Sequence, residues 1–275
     1  MSYQRELEVA LAAAAEAGAI LLRHWAAPSE SWEKSEDNPV THADLEADRA
    51  IRARLSAAFP GDALLSEETA ADPGRVARRR AWIVDPMDGT KEFVARIPEF
   101  AVSIALAENG EPVVGVILNP AARVTVAAVR GGGTHRGEAG ALPGRRVRVS
   151  SCARLEEAVV IASRTEISRR QLAGYEGWFK ELRPVGSIAW KLACIACGEG
   201  DLNVSVAPKN EWDVCAGDLL VREAGGVYLA FDGSRRSYNQ PDPLISAGMA
   251  AGPRPLVEAF AARLLARSSS RSPAS

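Results

Sequence analysis

Apolar residues near the start of the chain recur every three or four positions, which predicts a long helix with one apolar face that ends before Pro28. A second helix is predicted after Thr41, because Thr41 is a suitable N-cap and Asp44, three residues on, completes a capping box. This helix should stop at Pro60. The polar segment 28–39 between the two helices is typical of a loop or a short hairpin.

The pattern then changes to short runs of apolar and β-branched residues, which predict strands. In the first half these strands are Ala63–Ser66, Ala81–Asp85, Phe100–Ala107, Val113–Leu118 and Val124–Val129. After about residue 150 the elements alternate, with strands over 159–162, 182–185, 202–206, 227–231 and 244–247 and helices near 168–181, 188–198, 214–224 and 255–266. Strands early and alternation late predict an α/β (α+β) chain with two packed lobes.

We place the first lobe at residues 1–145 and the second at 146–267, and we expect the Ser- and Arg-rich tail 268–275 to be disordered. The 275-residue chain is 47% hydrophobic and 25% charged, which excludes disorder as its main state because such a chain can bury a core. No uninterrupted apolar run approaches the roughly 18–20 residues that a membrane-spanning helix needs.

The net charge, the first residues and the cysteines indicate which partners and which cellular compartment to expect. A net charge of −2 argues against broad affinity for nucleic acid polymers or anionic membranes, so we expect a small-molecule partner for a monomer or homodimer. The polar first residues do not resemble a signal peptide, which favours the cytoplasm. Cys194 and Cys197 form a C-x-x-C pair that could be a redox or zinc motif. Because the pair lies in an apolar helical run without a second pair at zinc spacing, we interpret it as two core residues.

The segment from Trp82 to Phe93, with the sequence WIVDPMDGTKEF, carries the most chemical information. Its two carboxylates, Asp85 and Asp88, lie at the end of an apolar strand and can converge on one hard cation. The backbone N–H groups of Gly89 and Thr90, at the start of a helix, can take up an anion. The alternative is a strand–turn–helix corner whose aspartates are solvated caps.

Other acidic residues also lie at the ends of predicted elements. Glu67 and Glu68 follow a strand, Asp44 lies at a helix start, and Asp213 lies at a strand-to-helix junction. Taken singly, these residues are an exposed acidic turn and two helix caps. If they converge with the two aspartates of the strand end, they would repel one another strongly without cations. A cluster of oxygen ligands suits Mg²⁺, or Mn²⁺ in its place, and not zinc.

Four motifs occur in order along the chain: V-T-x-A-D ending at Asp44, the Glu67-Glu68 pair, D-P-x-D-G-T ending at Thr90, and W-D-x-x-A-G beginning at Trp212. In this combination the sequence resembles the inositol monophosphatase superfamily of lithium-sensitive, magnesium-dependent phosphatases. The resemblance covers most of the chain, from about residue 7 to residue 247. It implies a layered α-β-α-β-α fold and hydrolysis of a phosphate monoester by metal-activated water.

The resemblance also implies two or three Mg²⁺ ions. Glu67, Asp85 and the backbone carbonyl of Met87 would hold the first ion. Asp85, Asp88 and Asp213 would hold the second, with Asp85 bridging the two. Glu67 could also help to hold a third, weaker ion, and we count it among the candidate catalytic residues.

The other two candidate catalytic residues are Thr90, which by the same resemblance would orient the attacking water, and Asp44, which would hold the Thr90 hydroxyl. The phosphate would lie against Asp88 and the amides of Gly89 and Thr90. Glu68 matches a position that supports the metal ligands from outside.

The resemblance separates substrates less sharply. The Lys91-Glu92-Phe93 continuation is similar to the branch that hydrolyses 3′-phosphoadenosine 5′-phosphate to AMP, and Arg164 could bind a second phosphate, although a surface arginine is an equal reading. Gly186 and Ser187 match a substrate-contacting loop of both branches. Glu211 lies near the polyol-binding acid of inositol monophosphatases, which keeps an inositol-1-monophosphatase or a related sugar or polyol phosphatase as the alternative. A catalytically silent binding protein on the same fold is the remote alternative.

Overall fold

The computed structural model describes residues 3–26, 31–35, 38–139 and 144–269. The α-helices of this part of the chain are α1 (Gln4–Ala26), α2 (His42–Ala58), α3 (Thr90–Val94), α4 (Arg164–Ser168), α5 (Ile188–Ala196), α6 (Glu211–Glu223) and α7 (Arg254–Ser269). Short 3₁₀ turns lie at Pro73–Ala77, Leu155–Glu157 and Glu176–Trp178.

Two large sheets carry most of the strands. The seven-stranded sheet has the order β3-β4-β5-β6-β7-β8-β9 and contains β3 (Ala63–Ser66), β4 (Arg80–Asp88), β5 (Ala101–Glu108), β6 (Glu111–Asn119), β7 (Val124–Val129), β8 (Gly133–Glu138) and β9 (Arg145–Val147). The five-stranded sheet has the order β11-β10-β12-β16-β14 and contains β10 (Val159–Ser163), β11 (Glu181–Val185), β12 (Leu202–Ser205), β14 (Val227–Ala230) and β16 (Met249–Gly252). Two antiparallel pairs complete the set: β1 (Ser31–Ser35) with β2 (Asn38–Thr41), and β13 (Lys209–Asn210) with β15 (Leu244–Ile245).

The elements stack as five alternating layers of helices and sheets. Helices α1 and α2 cover one face of the seven-stranded sheet, and α5 and α6 lie between its other face and the five-stranded sheet. Helix α7 packs on the far side of the five-stranded sheet, where Phe260 belongs to the same core cluster as Val160 and Val204. The predicted α-β-α-β-α fold is therefore confirmed.

Strand β5 shows how one sheet serves two cores. Every residue of β5 is buried, and the side chains alternate along the strand. Val102 and Ile104 join the core under α1 and α2, whereas Ala105 and Ala107 join the core under α5 and α6. The smaller residues face the central helices, which therefore approach the sheet closely. At Gly115 of β6, an added Cβ would lie 2.9 Å from a backbone oxygen of α6.

The local predictions fail where turn or packing chemistry overrides the apolar pattern. The helix predicted near 168–181 is wrong. Helix α4 ends at Ser168, and a turn follows in which Arg170 has a φ of 55°. Strands β8, β9 and β16 were not predicted, because they are rich in glycine, charged residues or alanine. Strand β4 was predicted to end at Asp85 and continues to Asp88 through a bulge.

Three further predictions concern the C-terminal tail, the polar segment 28–39 and the boundary between the lobes. Helix α7 extends into the predicted tail as far as Ser269, and residues 270–275 lie outside the described residues. The segment 28–39 contains the antiparallel β1–β2 pair, as a hairpin would, although residues 28–30 and 36–37 lie outside the description. The boundary at 145/146 falls within β9, and the division into two lobes stays a prediction.

Helix α1 has the length and mean hydropathy, 1.2 over 18 residues, of a membrane span. Its alanine-rich face, including Ala10, Ala14 and Ala17, is buried against α2 and the sheet, as in a core helix. Cys194 and Cys197 lie in and against the central core, as the core interpretation expects. Burial raises the pKa of the Cys194 thiol and raises that of Cys197 to about 12, which disfavours a reactive thiolate.

A candidate metal and phosphate site

Three carboxylates from three elements converge at one edge of the seven-stranded sheet. Strands β3 and β4 are parallel, with Ser66 paired to Val84, so the residues that follow, Glu67 and Asp85, lie side by side. Helix α6 brings Asp213 to the same place. One ligand oxygen from each of the three lies within 4.8 Å of the other two. This spacing is compatible with the coordination of one hard cation by all three.

A bulge in β4 turns the second aspartate of the strand end toward the same space. Between the pairs Asp85–Ser103 and Asp88–Ala101 the strand holds one residue more than its partner. Within the bulge, the Met87 N–H donates to the Asp85 Oδ1 over 2.9 Å. Asp85 and Met87 are both buried, and the Met87 carbonyl accepts the Thr90 hydroxyl over 3.2 Å.

The electrostatics of the cluster show that it suits a cation. Burial and the neighbouring acids Glu67, Asp88 and Asp213 raise the pKa of Asp85 well above its ordinary value. Burial and the nearby Asp88 and Glu67 do the same to Asp213. Several carboxylates in one buried place cannot all stay charged without a counter-charge, so the donor set fits divalent cations that prefer oxygen ligands.

Asp44 and Asp213 are also helix caps, so a capping role and a role in the candidate site are compatible for both residues. Asp44 Oδ2 accepts the backbone N–H and the hydroxyl of Thr41, both at 2.7 Å, as the predicted capping box requires. Its other oxygen, Oδ1, accepts the Thr90 hydroxyl over 3.2 Å. Asp213 caps α6 in the same way, with its Oδ2 accepting the Asn210 N–H over 2.7 Å. Capping fixes the carboxylates in place.

Gly89 lies directly after the bulge and precedes the short helix α3. Its φ of 98° lies in the left-handed region, and an added Cβ would stand 2.8 Å from the backbone oxygen of Glu99. Both facts require glycine here. The turn leaves Gly89 and Thr90 lining a cavity of about 330 Å³ together with Glu67, Asp85 and Asp213.

The loop before α5 lies next to this turn, since a Cβ added at Gly89 would also stand 3.2 Å from the Ser187 Cβ. Gly186 and Ser187, the predicted substrate-contacting residues, both line the cavity. The Ser187 hydroxyl donates to the Asp88 Oδ2 over 2.6 Å, and the Ala189 N–H donates to the same oxygen over 2.6 Å. Ser187 has a φ of 52°, a strained conformation for serine that the surrounding contacts must maintain.

Two predicted substrate residues are not brought into the cavity. Arg164 binds the Glu99 carboxylate through two nitrogens, at 2.7 to 3.0 Å. Glu211 is fully buried, pairs with Arg236 at 2.9 Å, and accepts the Asn239 N–H over 2.6 Å. Among the described residues that line the cavity, neither of these two appears. Each instead has a partner of opposite charge within the protein, Glu99 for Arg164 and Arg236 for Glu211.

Glu68, predicted to support the ligands, follows Glu67 and is half-buried outside the cavity lining that the described residues form. Below this turn, Asp48 of α2 accepts the hydroxyls of Ser66 and Thr69, the latter over 3.0 Å. Asp48 lies one helical turn after Asp44, so α2 supports both the Thr90 hydroxyl, through Asp44, and the turn that carries Glu67. Sequence analysis missed this role of Asp48.

Sequence analysis also missed two lysines that line the cavity. Lys191, the single charged residue within the apolar helix α5, is almost completely buried, and its pKa is lowered by burial to about 8. Its ammonium donates to the Val185 carbonyl over 3.3 Å. Lys209 reaches the cavity from β13. A lone lysine in an apolar helix was the available signal, because burial of such a charge requires nearby acids.

Comparisons with known proteins agree with this geometry. The model of the inositol monophosphatase family matches residues 2–269. An inositol-1-monophosphatase of Mesorhizobium japonicum is 40% identical over 207 residues, covering 71% of this chain and 73% of the relative. A fructose-1,6-bisphosphatase/inositol-1-monophosphatase of Thermotoga maritima is 33% identical over 234 residues, covering 84% of this chain and 87% of the relative.

Solved structures of related proteins share the whole fold. The extragenic suppressor protein suhB of Bartonella henselae superposes with a TM-score of 0.82 at 30% identity, covering 94% of this chain and 98% of that one. CysQ of Bacteroides thetaiotaomicron, described as a bacterial member of the inositol monophosphatase family, superposes with a TM-score of 0.75 at 31% identity, covering 92% and 98%.

Proposed function

The chain belongs to the inositol monophosphatase family of phosphatases, and from that premise we propose that it is a Mg²⁺-dependent, Li⁺-sensitive phosphomonoesterase. One observation carries the proposal: the oxygens of Glu67, Asp85 and Asp213 lie within 4.8 Å of one another in a buried, acid-rich cavity. Two or three ions would bind there, and Mn²⁺ could substitute. Metal ions of this kind activate a water and neutralise phosphate oxygens.

The residues divide into two sets around the bridging Asp85. Glu67 and the Met87 carbonyl would complete one ion site with Asp85, and Asp88 and Asp213 would complete the other. The buried environment supports this assignment, because the carboxylates raise one another's pKa and a cation relieves that repulsion.

Thr90 and Asp44 would prepare the attacking water. When the Thr90 hydroxyl donates to the Asp44 Oδ1, its own lone pairs remain to accept a hydrogen bond from a water molecule. That water then presents its own lone pair to the phosphorus. Asp44 is held by Thr41 through two further hydrogen bonds, so the carboxylate oxygen that faces the Thr90 hydroxyl is fixed in place.

The phosphate group would lie against the turn that follows the β4 bulge. The N–H groups of Gly89 and Thr90 precede and begin α3, and both residues line the cavity. N–H donors fixed in this way stabilise a phosphate without reorganisation. The alcohol of the ester would leave toward Asp213 and the open part of the cavity.

We further propose 3′-phosphoadenosine 5′-phosphate as the preferred ester. Lys91 and Glu92 of the motif line the cavity, and so do Lys191 and Lys209, whose ammonium groups could hold a second phosphate. Arg164 does not support this choice, because its guanidinium is bound to Glu99.

An inositol or sugar phosphate is the second candidate, supported by the names of the two relatives at 40% and 33% identity. The buried position of Glu211 removes the residue-level argument for polyol binding without removing this candidate. A silent binding protein is the third. Cytoplasmic location and a monomeric or dimeric state remain part of the proposal.

A phosphate-release panel distinguishes these candidates. It contains 3′-phosphoadenosine 5′-phosphate, inositol 1-phosphate and fructose 1,6-bisphosphate, each with Mg²⁺, with EDTA, and with Mg²⁺ plus millimolar Li⁺ or Ca²⁺. We expect release only with Mg²⁺, inhibition by both added ions, and the highest kcat/KM for the adenosine bisphosphate. Binding of an ester without phosphate release in every condition would leave only the third candidate, a catalytically silent binding protein.

A lysine variant tests the second phosphate. Lys209→Gln should lower kcat/KM for the adenosine bisphosphate about tenfold more than for inositol 1-phosphate, since a charge-assisted contact is lost with one substrate only. Lys180→Gln, at an exposed lysine outside the cavity, is the matched control. Equal losses for both substrates, or a better wild-type rate with inositol 1-phosphate, would contradict the nucleotidase assignment.

A further inference from the structure

An Arg–Glu pair joins the two sheets beside the candidate site. Glu99 lies in the turn before β5, and its Oε2 accepts Arg164 Nε at 3.0 Å and another guanidinium nitrogen at 2.7 Å. The same oxygen accepts the Gly186 N–H over 2.7 Å. Strands β10 and β11 are parallel neighbours, with Ser163 paired to Val185. Glu99 therefore binds the residues that follow the carboxyl ends of two adjacent strands.

This pair is continuous with a proposed metal ligand. Gly186 leads directly into Ser187, whose φ of 52° is strained and whose hydroxyl donates to the Asp88 Oδ2 over 2.6 Å. On the other side, the backbone oxygen of Glu99 lies against Gly89, closer than an added Cβ could tolerate. Glu99 thus contacts two segments that line the cavity, through its backbone at Gly89 and through its side chain at Gly186.

We propose that Arg164 and Glu99 are positioning residues: their ion pair holds Gly186 and Ser187 so that Ser187 fixes the Asp88 carboxylate. The proposal rests on the proposed function, because it takes Asp88 as a ligand. A bidentate Arg–carboxylate pair is directional as well as strong, which suits the maintenance of a strained loop. The Glu99 side chain is 21% exposed, so water screens the pair only in part.

This assignment differs from a substrate role for Arg164 in its consequences. A substrate ligand changes the selectivity between esters with one and two phosphates. A positioning residue changes metal binding and turnover for every ester by the same factor. Partners of metal ligands typically alter metal affinity or activity by about 10- to 100-fold.

The test uses three single variants of the full chain and the double variant Arg164→Ala with Glu99→Gln. Arg164→Ala removes the pair, Glu99→Gln keeps an acceptor oxygen for Gly186 and removes the charge, and Arg183→Ala is the control. Arg183 forms a similar pair with Glu181 at 2.9 Å on β11, but both partners are exposed. Mn²⁺ binding is measured by isothermal titration calorimetry, and kcat and KM are measured with the adenosine bisphosphate and inositol 1-phosphate.

We expect Arg164→Ala and Glu99→Gln each to weaken Mn²⁺ binding about tenfold or more, with an unchanged ratio of kcat/KM between the two esters. The double variant should be no worse than the worse single one, because both act through one contact. Arg183→Ala should match the wild type.

Either of two results overturns the proposal: a loss in Arg164→Ala confined to the adenosine bisphosphate, or wild-type Mn²⁺ affinity in both variants. Circular dichroism establishes that each variant is folded, and Glu99→Gln decides the question if Arg164→Ala does not fold. If the wild type hydrolyses no ester of the panel, the proposed function fails, and the series of Mn²⁺ affinities still decides whether the pair positions Asp88.

Discussion

The acidic centre around Asp85 and the network around Glu211 each contain a carboxylate with almost no exposed surface. Asp85 is 1% exposed and Glu211 is 0% exposed. Burial raises the pKa of both groups, but Arg236 and the N–H groups of Asn239 and Gln240 oppose the rise at Glu211. At Asp85 the strongest electrostatic neighbours are other acids, which add to the rise.

The two regions differ in whether protein groups balance the buried negative charge. The Glu211 carboxylate is satisfied within the protein, by an ion pair at 2.9 Å and by backbone donors at 2.6 and 3.1 Å. It ties the loop before β15 to the start of α6. The acidic centre has an excess of negative charge in a cavity open to small molecules, so a cation from outside completes it.

The largest effect is expected from removal of Asp85, the proposed bridging ligand. Asp85→Asn should lower kcat by about 100-fold or more, because a ligand shared by both proposed ions is lost. Phosphate release with saturating Mg²⁺ measures the effect. Asp218→Asn, at a buried aspartate on the far side of α6, is the control and should keep its turnover. Near-normal kcat in Asp85→Asn would refute the metal assignment.

The complementary variant removes the satisfied acid. Glu211→Ala should lower the free energy of unfolding by about 3 kcal/mol, because it leaves Arg236 without its partner in a largely buried place. Urea denaturation measures this loss. Below the unfolding transition, kcat and the KM for inositol 1-phosphate should stay near the wild-type values. A selective rise in that KM would show that Glu211 contacts the polyol after all.

Binding of the proposed cation should stabilise the folded protein. Mg²⁺ at about 100 times its dissociation constant should stabilise the EDTA-treated wild type by about 2.7 kcal/mol, as any ligand specific for the folded state does. Differential scanning calorimetry should show the rise in Tm. Asp85→Asn should lose most of this rise, and without metal it should be at least as stable as the wild type, since one repulsive charge is gone. An equal rise in both proteins would place the bound ion elsewhere.

Asp218 is a third buried carboxylate, intermediate between Asp85 and Glu211 in how far protein groups satisfy it. Tyr238 donates to its Oδ2 over 3.0 Å, whereas its Oδ1 has no hydrogen-bond partner among the described residues. Burial raises its pKa to about 6 from an ordinary 3.8. The folded state therefore binds more protons than the unfolded state between these values, and this contribution to stability is lost as the pH rises through about 6.

Asp218→Asn should remove that part of the pH dependence, roughly 2 kcal/mol between about pH 4 and pH 7. Urea denaturation at a series of pH values checks it. At about pH 8 the variant should be at least as stable as the wild type. A pH profile parallel to that of the wild type would mean that Asp218 does not titrate in this range.

Much of the candidate site is readable from sequence because its parts are local. The capping box of Thr41 and Asp44, the strand before Glu67 and the D-P-x-D-G-T turn each depend on neighbours within a few residues. Such neighbours determine backbone conformation through hydrogen bonds and steric limits that operate along the chain. The order of the four motifs then indicated the family.

What the sequence by itself determined was which residues carry carboxylates and at which element ends they lie. Only the tertiary structure decided which charged groups already have partners. Arg164 and Glu211 carry the chemistry of substrate ligands, yet Glu99, 65 residues from Arg164, and Arg236, 25 residues from Glu211, neutralise them. The packing of α5 against the candidate site likewise placed Lys191 in the cavity lining. Ion pairs of this kind form between segments that only the packed sheets and helices bring together, so no local pattern reports them.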